Sequence, residues 1–225
     1  MTLKQKRILV VSVILLVLLV DQLLKFWVKL NMQIGDEIML FGNWGRLHFI
    51  ENKGMAFGME FGGNYGKLLL TIFRLIAVGV LSYVIRNQIK IKAHFGFLIA
   101  LSLILAGALG NIIDSIFYGV IFNDSYGQIA QLMPSTGGYG AWFQGHVVDM
   151  LYFPLIDTHW PSWMPFLGGK SLSFFDPIFN IADSSISTGV FSILIFQGIF
   201  FKEKEIEKVV DESFNITENS LEKEG

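Results

Sequence analysis

Asp149 and Asp183 stand in apolar company, HVVDMLYF at 146–153 and FNIADSSI at 179–186. Two carboxylates brought together in a poorly solvated pocket cannot both ionise easily, so one is pushed up and a proton is shared. The ionised member takes a proton from water while its partner donates one to a carbonyl oxygen. That chemistry cuts an amide bond without a metal or a covalent intermediate. Alternatives are scarce. The chain has no Cys, no H-E-x-x-H and no G-x-S-x-G, and its four His (His48, His94, His146 and His159) are too scattered to propose a zinc site. No cofactor and no metal are expected.

Other polar residues repeat this pattern. Asn111 precedes Asp114 by three and Asn180 precedes Asp183 by three, which puts amide and carboxylate on one helix face, one turn apart. Asp21 and Lys25, four apart, can pair on one face. Gly107, Ala108 and Gly110 just before Asn111 are small enough to let helices approach closely.

These residues need elements to carry them. Of 225 residues, 52% are hydrophobic and only 16% charged, too few charges to cover a soluble globular surface, while 21 Phe exclude disorder. The net charge of −2 gives no basic surplus for nucleic acid. An integral membrane protein remains. Apolar stretches at about 8–30, 68–85, 95–116 and 179–201 are long enough to cross a hydrocarbon core, which takes roughly 20 helical residues. Lys4, Lys6 and Arg7, then Arg86, Lys90 and Lys92, then Lys202, Lys204 and Lys208 mark the cytoplasmic ends. The segment 117–178 has a single basic residue, Lys170. Both termini are therefore expected inside, with outer loops at 31–67 and 117–178. The first helix reads as retained, since its apolar run continues into DQLLKFWV without a small-x-small cleavage site. Residues 202–225, with 8 acidic and 4 basic side chains, read as a charged cytoplasmic tail that dangles.

An ionisable residue inside the membrane is costly and marks function by default. Asp21 lies 13 residues above Ile8, about 20 Å at 1.5 Å per residue. Asp114, Asp183 and Arg74 fall close to the same outer end of their helices. Four charged groups on four helices thus meet in one layer.

In this setting the blocks resemble the bacterial lipoprotein signal peptidases (signal peptidase II). DQLLK at 21–25 is similar to that family's first motif, and NKGMAFG at 52–58 to its N-x-G-x-A-F-G loop. AGALGNIID at 106–114, VVDMLYF at 147–153 and FNIADSSI at 179–186 are similar to its later blocks, in order. The resemblance implies an all-α integral membrane peptidase with four transmembrane helices and a small extracytoplasmic β-rich loop domain. It implies Asp149 and Asp183 as the catalytic dyad, base and acid on a bound water. Asn52, Gly54, Gly107, Asn111 and Asn180 would line the substrate pocket, and Asp21 and Lys25 would give structural support. The implied substrate is a prolipoprotein whose lipobox Cys carries diacylglycerol, cut just before that Cys, with globomycin as inhibitor. The implied place is the bacterial inner membrane, among membrane lipids, with the site near the outer leaflet. Two departures stand out. Ser115 follows Asp114 where the family block usually has Arg, and Arg74 is a candidate to replace that guanidinium in space. The outer loop 117–178 is longer than the family's compact version, and extra structure or a lid is expected there.

Bland readings accompany each assignment. Either aspartate can cap a helix or pair with a base. Asp114 is as readily a loop-end acceptor, Arg74 a snorkelling side chain, Trp160 and Trp163 part of an interfacial belt, and His146 and His159 surface residues. A proton-coupled carrier would need polar residues at several depths, yet Ile8–Val20 offers only Ser12 and the third helix only Ser102 before Asn111. A structural subunit would not need the paired Asn-x-x-Asp spacing.

Overall fold

The computed structural model describes residues 1–42, 44–52, 63–154, 156–166, 168–174 and 177–221. Long helices dominate: α1 (Leu3–Asn31), α2 (Gly63–Lys90), α3 (Phe95–Ile113) and α4 (Ile181–Leu221). α3 continues through a π-helical turn, Asp114–Tyr118, and one last α turn, Gly119–Ile121. Spans long and apolar enough to cross a membrane occupy Leu3–Asn31, Leu68–Lys90, Phe95–Ile121 and Ile181–Lys202.

α3 is the hub, and its composition explains why. It is apolar on all sides, the pattern of a helix enclosed by others, and 61% of its most apolar window is buried against 11–17% for the other three spans. Those three turn Leu15, Leu19, Leu69, Phe73, Phe191 and Ile195 outward. In water such a surface would be untenable; in hydrocarbon it is the ground state. α3 and α4 approach very closely. A Cβ on Gly107 would lie 2.2 Å from the Ala182 carbonyl oxygen, and one on Gly189 would lie 2.6 Å from that of Ala100. The Ser185 hydroxyl donates to the Leu103 carbonyl at 2.6 Å across the same contact. Small residues thus permit the approach and a hydroxyl ties it.

Strands β1 (Glu37–Met39), β2 (Arg46–Asn52), β3 (Val147–Tyr152) and β6 (Ile178–Phe179) form an antiparallel sheet in the order β1-β2-β3-β6. β4 (Ile156–His159) pairs with β5 (Ser171–Phe174) separately. A core of Val28, Met32, Phe49, Tyr118, Phe122 and Met150 joins this sheet to the end of α1.

Several boundaries differ from the sequence expectation. α1 starts at Leu3 because Thr2 and Gln5 form a reciprocal capping box. α2 runs on to Lys90, since leaving the apolar layer does not end a helix of good formers. Phe179 belongs to a strand, so the last helix begins at Ile181. The segment read as a charged tail is helical as far as Leu221.

Candidate active site

β3 delivers Asp149 and the first turn of α4 delivers Asp183. Asp149 is 2% exposed, directly opposite Ile50 of β2, at a point where β2 shifts register between Leu47 and Ile50. Such irregularities re-aim side chains near sites. Asp183 occupies the third position of α4, and its backbone N–H donates to the Asn180 side-chain oxygen at 2.8 Å, an N-cap bond.

Two asparagines join the carboxylates. The Asn180 amide donates to Asp149 Oδ1 at 2.7 Å and to Asn111 Oδ1 at 3.1 Å. The Asn111 amide donates to Asp183 Oδ1 at 2.8 Å. Asp149 and Asp183 therefore hang on one continuous chain of side chains, and Asn52 also hydrogen-bonds Asp149. Burial, reinforced by the charge of Asp183, pushes the Asp149 carboxyl up to about 7, against the opposing pull of Lys25, Asn52 and Asn180.

A second layer of charge lies behind this chain. The Lys25 ammonium, fully buried, donates to Asp21 Oδ2 at 2.9 Å, Asp114 Oδ2 at 2.7 Å and Asn111 Oδ1 at 3.0 Å, which uses all three of its protons. Each of its carboxylate partners holds the backbone N–H of the residue immediately before Asp183 or Asp149. Asp21 Oδ1 accepts from Ala182 N–H at 2.9 Å, and Asp114 Oδ2 accepts from Val148 N–H at 3.3 Å. One lysine thus bridges the two carboxylates that fix the two elements carrying Asp183 and Asp149.

Arg74 reaches in from α2. Its Nη1 donates to Ser115 Oγ at 3.4 Å, and its charge is felt by Asp183, Asp114 and Asp149 in that order. Among the described residues it makes no carboxylate ion pair. Gly107 stands between α3 and α4 and serves their approach. Gly54 lies outside the described residues, as does the rest of 53–62. No group of three or more His, Asp or Glu side chains arranged to hold a metal occurs among the described residues.

The family model for Signal peptidase (SPase) II matches residues 13–200. The chain belongs to the signal peptidase II family. Similar proteins include a lipoprotein signal peptidase of Porphyromonas gingivalis, 52% identical over 187 residues that cover 83% of this chain and 81% of that protein. Another, of Amoebophilus asiaticus, is 42% identical over 187 residues, covering 82% of this chain and 75% of that one. A bacterial membrane enzyme solved by the in meso method superposes with a TM-score of 0.52 at 26% identity, over 83% of this chain and 85% of the other.

The network around these carboxylates also holds residues that sequence reasoning missed. Gln22 donates to Asp114 Oδ1 at 2.9 Å and accepts from the Tyr118 hydroxyl at 3.1 Å. Glu51, next to Asn52, binds Lys29 at 2.6 Å and faces His146 Nδ1 at 2.8 Å. His146, expected as a surface residue, is half-buried, with its Nδ1 facing Glu51 and its ring beside that of Tyr139. Gln22, Lys25 and Lys29 recur at helical spacing with Asp21, a polar stripe on an otherwise apolar helix. That stripe is the available signal, and spacing alone singles out only its Asp21–Lys25 pair.

Proposed function

We propose that the chain is an aspartyl endopeptidase that removes signal peptides from diacylglyceryl-modified prolipoproteins, cleaving just before the lipidated Cys. The observation that carries this reading is the Asp149–Asn180–Asn111–Asp183 chain, which joins a carboxyl raised to about 7 to a second carboxylate. Asp149 holds the shared proton at rest and donates it to the scissile carbonyl. Asp183, at the positive end of α4 with the Asn111 amide donating to it, takes a proton from the attacking water. Asn111, Asn180 and Asn52 hold the dyad and the substrate backbone. The Arg74 guanidinium offers the donor for the developing oxyanion, in place of the arginine that Ser115 displaces.

The distribution of Lys and Arg supports termini in the cytoplasm. The sheet then lies on the outer side of the bacterial inner membrane, and the dyad lies at the outer leaflet, where a lipidated Cys resides. The decisive assay incubates the purified protein with a diacylglyceryl-modified prolipoprotein, with and without globomycin. Release of the signal peptide, blocked by globomycin, is expected. Equal release by Asp149→Asn or Asp183→Asn would refute the mechanism, and no release by the intact protein would refute the activity.

A further inference from the structure

At the end of the helix bundle where α1 starts and α2 ends, a cleft of about 460 Å³ opens between these two helices. Arg7, Arg86 and Lys90 stand around it, and Val10, Ile85 and Leu105 line its apolar interior. α1 and α2 each pack on α3 far more than on each other, which leaves a groove between them with α3 as its floor. The three cations have no counter-charge among the described residues. No Asp or Glu occurs in residues 1–20 or 61–113, and among the described residues none of the three forms an ion pair. Like charges this close repel one another, and a polyanionic neighbour relieves the repulsion.

We propose that this cleft binds an anionic phospholipid, its phosphate among Arg7, Arg86 and Lys90 and an acyl chain in the groove between α1 and α2. The chemistry is specific in two ways. Basic pockets between transmembrane helices suit phospholipid head groups, and each Lys or Arg near an anionic lipid adds to the attraction. The amino-terminal region of a signal peptide is itself basic, so charge excludes it from this position. The acidic end of α4 is not among the lining, because Phe200 and Phe201 pack at His94 and Phe97. The proposal rests on the membrane-spanning character of the chain and is independent of the peptidase chemistry.

Native mass spectrometry of the full chain, offered equimolar phosphatidylglycerol and phosphatidylcholine, tests it directly. The wild type is expected to retain phosphatidylglycerol about tenfold over phosphatidylcholine. An Arg7→Gln/Arg86→Gln/Lys90→Gln variant loses that preference, whereas Lys4→Gln/Lys92→Gln, which removes two cations outside the cleft, keeps it. Phosphatidylglycerol also raises the thermal unfolding midpoint of the wild type, and inorganic phosphate at equal concentration does not. Absence of any preference in the wild type overturns the proposal, and this measurement does not depend on how the variants fold. Equal loss in the triple and double variants overturns it in favour of general surface charge. A shift reproduced by inorganic phosphate overturns it in favour of a free-anion site.

Discussion

Asp149 carries the pH dependence of the proposed reaction. A carboxyl raised to about 7 keeps its proton through the range where an ordinary aspartate has lost it. The singly protonated dyad therefore dominates below about 7 and disappears above. kcat/KM is expected to fall about tenfold per pH unit on the alkaline side of that value, measured as signal-peptide release across pH 5 to 9. A profile flat to pH 9 would show that Asp149 does not supply the proton. The same group works against stability as pH rises, because between the ordinary 3.8 and about 7 the folded chain holds a proton the unfolded chain has released. Arg74 belongs to this scale too. If its guanidinium meets the developing oxyanion, Arg74→Gln lowers kcat by roughly 10²- to 10³-fold with KM little changed, and Arg74→Lys restores part of the rate as a point charge without the planar fork. A change confined to KM would place Arg74 in substrate binding alone.

The elements matter because each dyad residue is held through the peptide bond before it. Lys25 stands between Asp21, which holds Ala182, and Asp114, which holds Val148. Replacing Lys25 by Met leaves buried carboxylates without their cation, and removing one partner of a buried pair costs about 3–5 kcal/mol. Lys25→Met is expected to unfold at correspondingly lower denaturant, with cleavage lost alongside stability. Gly107→Ala tests the same support by sterics. Its Cβ would meet the Ala182 carbonyl at 2.2 Å and Ile186 Cγ1 at 2.6 Å, so α4 must shift at the turn that carries Asp183. A loss of about 1–3 kcal/mol is expected, with a fall in kcat larger than the unfolded fraction explains. Much of this is legible in the chain itself. The apolar runs mark the spans, and the Asn-x-x-Asp spacings mark the residues. What the spacing does not convey is direction. Asn111 and Asp114 both accept from Lys25, yet the Asn111 amide goes on to Asp183 while Asp114 goes on to Gln22 and the Val148 N–H.

At the scale of the whole molecule, the long segment after α3 is built into the site's support. Gly145 seats on the π turn, where a Cβ would come 2.0 Å from the Asp114 carbonyl oxygen. Ser125 accepts from Lys29 Nζ at 2.7 Å, and the Lys29 ammonium stands 5.2 Å from the ring centroids of both Phe122 and Tyr139. Glu51 closes the network between Lys29 and His146, one residue from Asn52, which bonds Asp149. Residues 122–146 therefore clamp β2 to α1 on the side of the dyad, where sequence length alone suggested extra structure or a lid. Long-range closure of this kind leaves no local pattern, since its partners lie 22 and 96 residues from Lys29. The clamp has a pH signature opposite to that of Asp149. Burial would raise the Glu51 carboxyl, but the His146 hydrogen bond and the Lys29 charge outweigh it and hold the group below its ordinary 4.5. Stability from Glu51 is therefore complete above 4.5 and is lost as pH falls through the lower folded value. Scanning calorimetry of the wild type from pH 6 to 3 is expected to show a midpoint that drops steeply below about 4.5. Glu51→Gln, less stable at pH 6, should be nearly flat over the same interval. Parallel slopes in the two proteins would mean that acid unfolds the chain elsewhere and that the clamp is not held by this carboxylate.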